Sequence, residues 1–300
     1  MPPLDQWIAF TPLQGSPVAL IPGILAVLYL RGAIWMWLHK RRWPVARTAA
    51  FLIGCVLILL VTTLGVNPLA ELSITALIFQ QITLLTVVPP LLIAGSPGRL
   101  LLRSTPHTGL GRLVLRIAHA GLRSRFWAAT LHPAVAIATT VLLYPVLYLT
   151  DAISIIMRIP AGHDLLLLAV LFLGIVSSTP LWSSDPLPRV PSFAARFVDI
   201  ALEIQIHAVF GLILLRSTAP LFSAYATSSE DHNPVLDQAV AGALVWTYAE
   251  LPLFIVLIIC LSRWRARDVR ISERRQQIED AELDSYNEYL ASLARRRQEN

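Results

Sequence analysis

Long apolar stretches alternate with short polar segments along the chain. A helix that crosses a membrane needs about 20 mostly apolar residues to span about 30 Å of hydrocarbon. Seven stretches meet this requirement and predict an all-α, polytopic bundle of about seven transmembrane helices, at residues 17–38, 46–66, 71–95, 128–150, 163–183, 197–217 and 236–262. Residues 1–262 are therefore assigned to a transmembrane domain and residues 263–300 to a charged tail.

Composition indicates that the bilayer, and not water, surrounds most of the chain. Of its 300 residues, 55% are hydrophobic and 14% are charged, which is too apolar for a soluble domain of this size. The longest segments outside the predicted spans, 96–127 and 263–300, are too short for a soluble catalytic domain. The sequence contains no Walker loop, Rossmann fingerprint, HExxH or GxSxG motif. It therefore predicts a membrane protein that is not an enzyme.

Basic residues fall almost entirely in alternate loops. Four follow the first predicted span, six the third, two the fifth and nine the seventh, whereas Arg158 alone lies in the opposite loops. Because Lys and Arg accumulate in cytoplasmic loops, we expect a multi-pass protein of a bacterial plasma membrane, with its N-terminus outside the cell and its tail in the cytoplasm. The net charge of +5 is spread over these flanks. It therefore predicts contact with membrane lipids, not with nucleic acid.

Two of the predicted cytoplasmic segments carry further patterns. Arg112, Arg116, His119 and Arg123 recur at spacings of four, three and four with apolar residues between them, which fits a basic amphipathic helix lying on the cytoplasmic leaflet. The tail mixes nine arginines with eight acidic residues. That mixture is typical of a solvated helical extension or of a docking arm for a cytoplasmic partner.

Polar side chains inside the predicted spans mark the candidate site, because ionisable groups at membrane depth are costly and usually functional or paired. Gln80 and Gln81 of the third span and His207 of the sixth are expected to meet near the midplane. Glu203 precedes His207 by one helical turn, and Glu250 of the seventh span lies somewhat nearer the midplane. A Glu and a His one turn apart can relay protons or help to hold a metal, but interhelical hydrogen bonding is the commoner explanation.

Four more polar residues open helices at the predicted outer surface: His163 and Asp164 in the fifth span, and Asp237 and Gln238 in the seventh. Acids at helix N-termini ordinarily act as caps. The candidate metal ligands are His163, His207 and Asp237. No two of the seven histidines form an i, i+4 pair, and there is no Met-rich tract, so the residues alone do not establish a copper or zinc site.

An ordered succession of short motifs runs through the predicted spans: Trp43-Pro44 with Arg47, Gln80, Val87 to Leu92 with Gly95 and Pro97, Leu131-His132-Pro133, Tyr148-Leu149-Thr150, Gly162-His163, Asp185-Pro186, His207-Ala208 with Phe210-Gly211, and Asp237-Gln238 with Gly242, Trp246, Glu250 and Pro252. Over about residues 20–262, this succession resembles the CtaG family of cytochrome c oxidase assembly factors, in the form common in actinobacteria. The resemblance implies a seven-helix membrane chaperone that helps to mature haem-copper oxidase, with oxidase subunits as partners and copper as the metal supplied or handled.

The sequence departs from this family pattern at its histidines. Family members usually carry two histidines on helix three around the glutamine matched by Gln80, and the corresponding residues here are Leu77 and Gln81. A further histidine typical of helix five, after His163, is replaced by an apolar run. Leucine cannot ligate copper and glutamine is a poor ligand for Cu(I). His163 and His207 also lie about 15 Å apart along the membrane normal by the helix rise, so weak or absent copper binding is predicted.

Three functions remain open on the sequence. The first is an oxidase assembly factor that handles copper through His163 and Asp237 near the outer face and His207, Gln80 and Glu203 deeper in the membrane. The second is a metal-free scaffold of the same origin that binds oxidase or another membrane partner. The third is a transporter of protons or a small solute through the intramembrane acids.

Overall fold

The computed structural model of the chain describes residues 4–9, 17–188, 192–226 and 233–298. Within these residues the chain is helical and contains no strand, which confirms the predicted fold class. The α-helices are α1 Leu4–Ile8, α2 Leu20–Leu38, α3 Val45–Thr63, α4 Val66–Leu69, α5 Ile74–Ile82, α6 Val88–Ala94, α7 Pro97–Ser104, α8 Gly109–Arg123, α9 Arg125–Thr130, α10 Pro133–Tyr148, α11 Ala152–Met157, α12 Gly162–Trp182, α13 Phe193–Arg216, α14 Pro234–Thr247 and α15 Glu250–Gln298. Short 3₁₀ turns lie at Pro17–Ala19 and Ser223–Tyr225.

The chain divides into two compact units. The first, Met1–Val256, contains α1 to α14 with the start of α15, and it holds the polar residues of the candidate site. The second, Leu257–Asn300, is the remainder of α15. Residues 261–290 are exposed throughout, so the charged side chains of this part of the tail are solvated.

Six helical spans of the described chain are long and apolar enough to cross a membrane: Leu20–Leu38, Val45–Thr63, Ile74–Ser104, Gly162–Trp182, Phe193–Arg216 and Pro234–Leu290. The predicted span at 128–150 is shorter than expected. A turn interrupts it after Thr130, and α10 begins at Pro133 with the His132 side chain as its cap. With 16 residues, α10 rises about 24 Å, which is less than the hydrocarbon thickness.

The third span is the centre of the bundle. Within its apolar window 78% of the residues are buried, against 22% for α2. Its first part, α5, packs on α14, and its second part, α6, packs on α3 and α12. Side chains of α5 and α6 therefore face protein on several sides, which explains why polar residues can be placed there without meeting lipid.

A π-helical segment, Thr83–Val87, joins α5 to α6. Pro89 and Pro90 follow it in the first turn of α6, and because proline has no backbone N–H, Pro89 cannot pair with the carbonyl of Leu85. That carbonyl lies against Gly174 of α12, where a Cβ atom would be 2.5 Å from it. The glycine therefore lets α12 cover the irregular backbone, as a membrane interior requires.

Candidate functional site

Asp237, in the first turn of α14, binds the N-terminus of α5. Its Oδ1 accepts a hydrogen bond from the Ser73 hydroxyl at 2.8 Å and its Oδ2 accepts one from the Ile74 N–H at 2.8 Å, while its backbone carbonyl accepts one from the Thr75 hydroxyl at 2.6 Å. Helix N-termini have unpaired N–H groups and a dipole that favours an acid. Asp237 was expected to cap its own helix. It caps a neighbouring one, and Asn233 caps α14.

His163, the second residue of α12, is paired with Gln80 of α5. The distance from His163 Nε2 to Gln80 Oε1 is 2.9 Å, and Gln80 Nε2 donates to the Val61 carbonyl at 2.6 Å and to Asn67 Oδ1 at 2.9 Å. A carbonyl can only accept, so the Val61 contact fixes the orientation of the Gln80 amide. The fully buried Gln80 side chain thus joins α12, α3 and α4 to the central helix.

Gln81 makes a different set of contacts from its neighbour. Its Oε1 accepts a hydrogen bond from the Tyr148 hydroxyl at the end of α10. The Tyr148 ring packs on Phe210 of α13, with 4.8 Å between the ring centroids. Within the described residues, Gln81 Nε2 is buried without a hydrogen-bond partner. Gln81 therefore links α5 to α10, and through the tyrosine to α13.

Gln238, next to Asp237, holds the segment that follows α13. Its Oε1 accepts a hydrogen bond from the Leu221 N–H at 2.8 Å, and its Nε2 donates to the Ala219 carbonyl at 3.4 Å. These are backbone groups of a turn that would otherwise be partly buried without partners. The role of Gln238 in this fold is to fix that turn on α14.

Tyr225 anchors the same connection on the other side. Its hydroxyl donates to the Ala70 carbonyl at 2.6 Å. Burial, followed by the nearby carboxylates of Glu71 and Asp237, raises the pKa of Tyr225 above its usual value. The phenol is therefore kept protonated and available as a donor.

A line of ionisable residues runs along α13. Asp199, Glu203 and His207 are separated by one helical turn each, and all three are buried. Glu250, the first residue of α15, is buried as well. Within the part of the chain that the structure describes, Asp199 Oδ1 and Glu250 Oε1 have no hydrogen-bond partner. Unpaired polar atoms in a membrane interior are costly, so these two acids are the residues whose burial is least explained by structure alone.

Gln80 and Gln81 were expected to meet His207 near the midplane, and their hydrogen bonds go to other residues. Gln80 bonds His163, and Gln81 bonds Tyr148. The expectation placed Gln80 too deep, because α5 begins at Ile74 instead of residue 71. Gln80 therefore lies only about 9 Å from the N-terminal end of α5, within reach of the first turn of α12.

The three candidate metal ligands do not converge. Both carboxylate oxygens of Asp237 accept hydrogen bonds, the Nε2 of His163 contacts Gln80, and His207 lies among the acids of α13. In the described ranges no three His, Cys, Asp or Glu side chains are grouped closely enough to hold a metal ion. Copper needs several converging soft or imidazole ligands, and this donor set does not fit it.

Several partners of the candidate residues were missed by the sequence analysis. Ser73, Asn67 and Tyr148 are ordinary polar or aromatic residues near helix ends, and only the fold shows that they bond Asp237, Gln80 and Gln81. Asp199 had a detectable signal, because it stands four residues before Glu203 and so continues the same helical face.

Comparison with known proteins agrees with this architecture. The family model described as cytochrome c oxidase caa3 assembly factor (Caa3_CtaG) matches residues 27–267. Among curated proteins, Uncharacterized protein Mb0105 of Mycobacterium bovis and Uncharacterized protein MT0111 of Mycobacterium tuberculosis are each 26% identical over 284 residues. The match covers 91% of this chain but only 43% of each relative, so the chain spans less than half the length of these relatives. No solved structure matches.

Proposed function

Because the chain belongs to the cytochrome c oxidase caa3 assembly factor family, we propose that it assists the assembly of a cytochrome c oxidase as a non-catalytic membrane scaffold. In this role it binds one or more oxidase subunits within the bilayer of a bacterial plasma membrane. Its C-terminal tail lies in the cytoplasm, as the distribution of basic residues predicts.

The observation that carries the scaffold role is the use of the family-type polar residues. Gln80, His163 and Asp237 all form hydrogen bonds that join one helix to another. Such bonds give a bundle a defined arrangement in a medium where apolar packing alone is poorly specific. A rigid outer face made by α5, α12 and α14 is what a scaffold needs in order to hold a partner in one orientation.

A copper-handling role requires more rearrangement in this chain. A copper ion bound by His163 and Asp237 would have to displace Gln80 from the imidazole and take a carboxylate oxygen away from Ser73 or Ile74. The two positions at which the resemblance implies histidines are occupied by the buried Leu77 and Gln81. We therefore assign copper no part in the proposed function.

Purification of the full chain from cells that make oxidase tests this proposal. The tagged protein is extracted in a mild detergent, its copper is measured by mass spectrometry of the metal, and co-purified oxidase subunits are identified from their peptides. His207→Ala is compared with the matched control His39→Ala, since His39 is an exposed histidine. We expect oxidase subunits in all three preparations and copper far below stoichiometry in each.

Two results would contradict the proposal. Stoichiometric copper in the unmodified chain would establish copper handling, and its loss in His207→Ala but not in His39→Ala would place the metal at His207. Absence of oxidase subunits from every preparation would exclude the scaffold. The double substitution Leu77→His and Gln81→His is the positive control, because it adds the imidazole ligands that copper prefers and should raise the copper content.

A second candidate, a proton pathway, rests on the unpaired buried oxygens of Asp199 and Glu250. With Glu203 and His207 on the same face of α13, Asp199 begins a line of proton-carrying groups about 6 Å apart by the helix rise. Proteoliposomes that contain the protein should then acidify faster than empty liposomes under a membrane potential. The effect should be lost in Glu203→Gln. Equal rates of acidification with the unmodified protein and with Glu203→Gln would exclude the pathway.

A further inference from the structure

One face of α8 carries four basic side chains around an open cleft. Arg112, Arg116, His119 and Arg123 lie within about 60° of one another at 100° per residue. Together with His107 and Leu115 they line a cavity of about 560 Å³. None of these residues takes part in the polar contacts of α5, α12 and α14, and the proposed function does not use the cleft.

Backbone carbonyls already fix the direction of two of these side chains. The His119 Nδ1 donates to the Leu115 carbonyl at 2.7 Å, and the Arg112 Nε donates to the His107 carbonyl at 3.2 Å. A carbonyl only accepts, so the remaining donors of Arg112 are the two terminal guanidinium nitrogens, and the remaining ring nitrogen of His119 is Nε2. The terminal nitrogens of Arg112 thus remain available to an acceptor in the open cleft.

The positive charge of this region has no counterpart in the neighbouring sequence. Six arginines lie between residues 96 and 127, and no Asp or Glu occurs from residue 72 to residue 150. Asp185 uses both carboxylate oxygens to bind the N–H groups of Gly98 and Arg99 at the start of α7. The exposed arginines of α8 can therefore bind an anion from outside the chain.

The opposite face of α8 is apolar and unpacked. Leu110, Leu113 and Ile117 are exposed by 82%, 54% and 63%, and their mean direction is about 120° from the basic cluster on the helical wheel. Phe126 and Trp127 of α9 are exposed nearby, and tryptophan is typical of the membrane–water interface. An acidic protein surface would satisfy the arginines but would leave these apolar side chains in water.

We propose that α8 lies in the membrane interface and that its basic cleft binds the headgroup phosphate of an anionic phospholipid. The terminal guanidinium groups of Arg112, Arg116 and Arg123 donate to the phosphate oxygens. The apolar face, with Leu113 and Ile117, enters the acyl-chain boundary. Lipid alone among anionic ligands satisfies both faces of the helix at once.

Lipid binding by the detergent-purified full chain tests this site. The protein is titrated with phosphatidylglycerol and, separately, with phosphatidylcholine of the same chains, and the bound lipid is counted by native mass spectrometry. The triple variant Arg112→Gln, Arg116→Gln, Arg123→Gln removes three contacts worth about 1 kcal/mol each. We expect a loss of phosphatidylglycerol affinity of about 100-fold and little change for phosphatidylcholine.

A matched triple variant controls for net charge. Arg270→Gln, Arg274→Gln and Arg275→Gln remove the same charge from an exposed stretch of α15 whose sequence also contains Asp268 and Glu273. We expect this variant to bind phosphatidylglycerol within about threefold of the unmodified chain, since these arginines are exposed and do not line the cleft, and a solvated charge contributes little. An equal loss of phosphatidylglycerol affinity in both triple variants would show that net charge alone causes the effect. The proposed site would then be wrong.

Two further results separate the lipid from other anions. Inorganic phosphate at millimolar concentration should not displace the bound phosphatidylglycerol. If it did displace the lipid, the ligand of the cleft would be a soluble phosphate. A label at Ile117→Cys should be quenched by lipids with brominated acyl chains, whereas one at Ser272→Cys should not. If the α8 triple variant kept its lipid but lost a co-purified protein, the cleft would belong to an acidic protein partner and the lipid proposal would be wrong.

Discussion

Replacement of Asp237 distinguishes a helix-joining residue from a metal ligand. In the structure its two oxygens accept bonds from the Ser73 hydroxyl and the Ile74 N–H at 2.8 Å each. Asn at this position keeps one acceptor for the Ile74 N–H, and its Nδ2 can donate to the Ser73 hydroxyl, so both contacts become neutral. Hydrogen bonds to a charged group are worth about 1 kcal/mol more than neutral ones, so Asp237→Asn should lower the free energy of unfolding by about 2 kcal/mol.

The alanine variant should be more severe. Asp237→Ala removes both acceptors, so the buried Ile74 N–H and the proton of the Ser73 hydroxyl lose the groups to which they donate. Each unsatisfied group costs about 1–3 kcal/mol, so a loss of about 4 kcal/mol is expected. A double-mutant cycle of Asp237→Ala with Ser73→Ala should give a coupling energy of about 1–2 kcal/mol, because the two side chains are in direct contact.

Equilibrium unfolding of the metal-free protein in mixed detergent micelles, followed by circular dichroism, measures these changes. Glu71→Gln is the matched control, since Glu71 is an exposed acid two residues before Ser73 and its change should stay within about 0.5 kcal/mol. If Asp237 were a metal ligand with no structural role, Asp237→Asn and the unmodified metal-free chain would have the same free energy of unfolding. Changes below about 0.5 kcal/mol in both Asp237 variants would refute the helix-joining role.

Two further predictions concern the packing and the orientation of the bundle. Gly174→Ala should destabilise the protein by about 1–3 kcal/mol through overpacking, because the new methyl group would lie 2.5 Å from a carbonyl of the π-helical segment. In Gly23→Ala the new Cβ atom would have no described atom within 4 Å, so this variant should be at least as stable as the unmodified chain in the same detergent assay. Equal losses of stability in the two glycine variants would contradict the packing argument. Glu71→Cys should react with an impermeant thiol reagent in intact cells and Ser272→Cys only after lysis, whereas the reverse labelling would invert the proposed topology.

The length of the apolar stretches predicted the helical membrane fold, because span length is set by the bilayer and not by neighbouring residues. The same signal failed at residues 128–150, where Pro133 starts a new helix and shortens the span. It also could not show the π-helical segment before Pro89. Both features depend on which backbone groups find partners in adjacent helices, and this is a property of the packed bundle.

The candidate site was predicted as a set of residues but not as a set of contacts. Gln80, Gln81, His163, Asp237 and Gln238 are all buried or half-buried and hydrogen-bonded between elements. Their partners include backbone carbonyls and a tyrosine far away in the sequence, which no spacing rule reveals. Depth estimates from helix ends also carry an error of one turn, and an error of this size misplaced Gln80 relative to His163.

Restoration of oxidase in a deletion strain tests the central claim most directly. Assembled cytochrome c oxidase is measured from its haem absorbance in membranes. Cells that lack this chain are grown with and without excess copper in the medium. They are compared with cells complemented with the unmodified chain or with His207→Ala at equal abundance. A scaffold predicts that the deletion lowers the oxidase signal, that copper does not restore it, and that both forms of the protein do. Recovery with copper alone would contradict the scaffold and support a copper carrier. Failure of His207→Ala at equal abundance would contradict a scaffold that does not use this side chain.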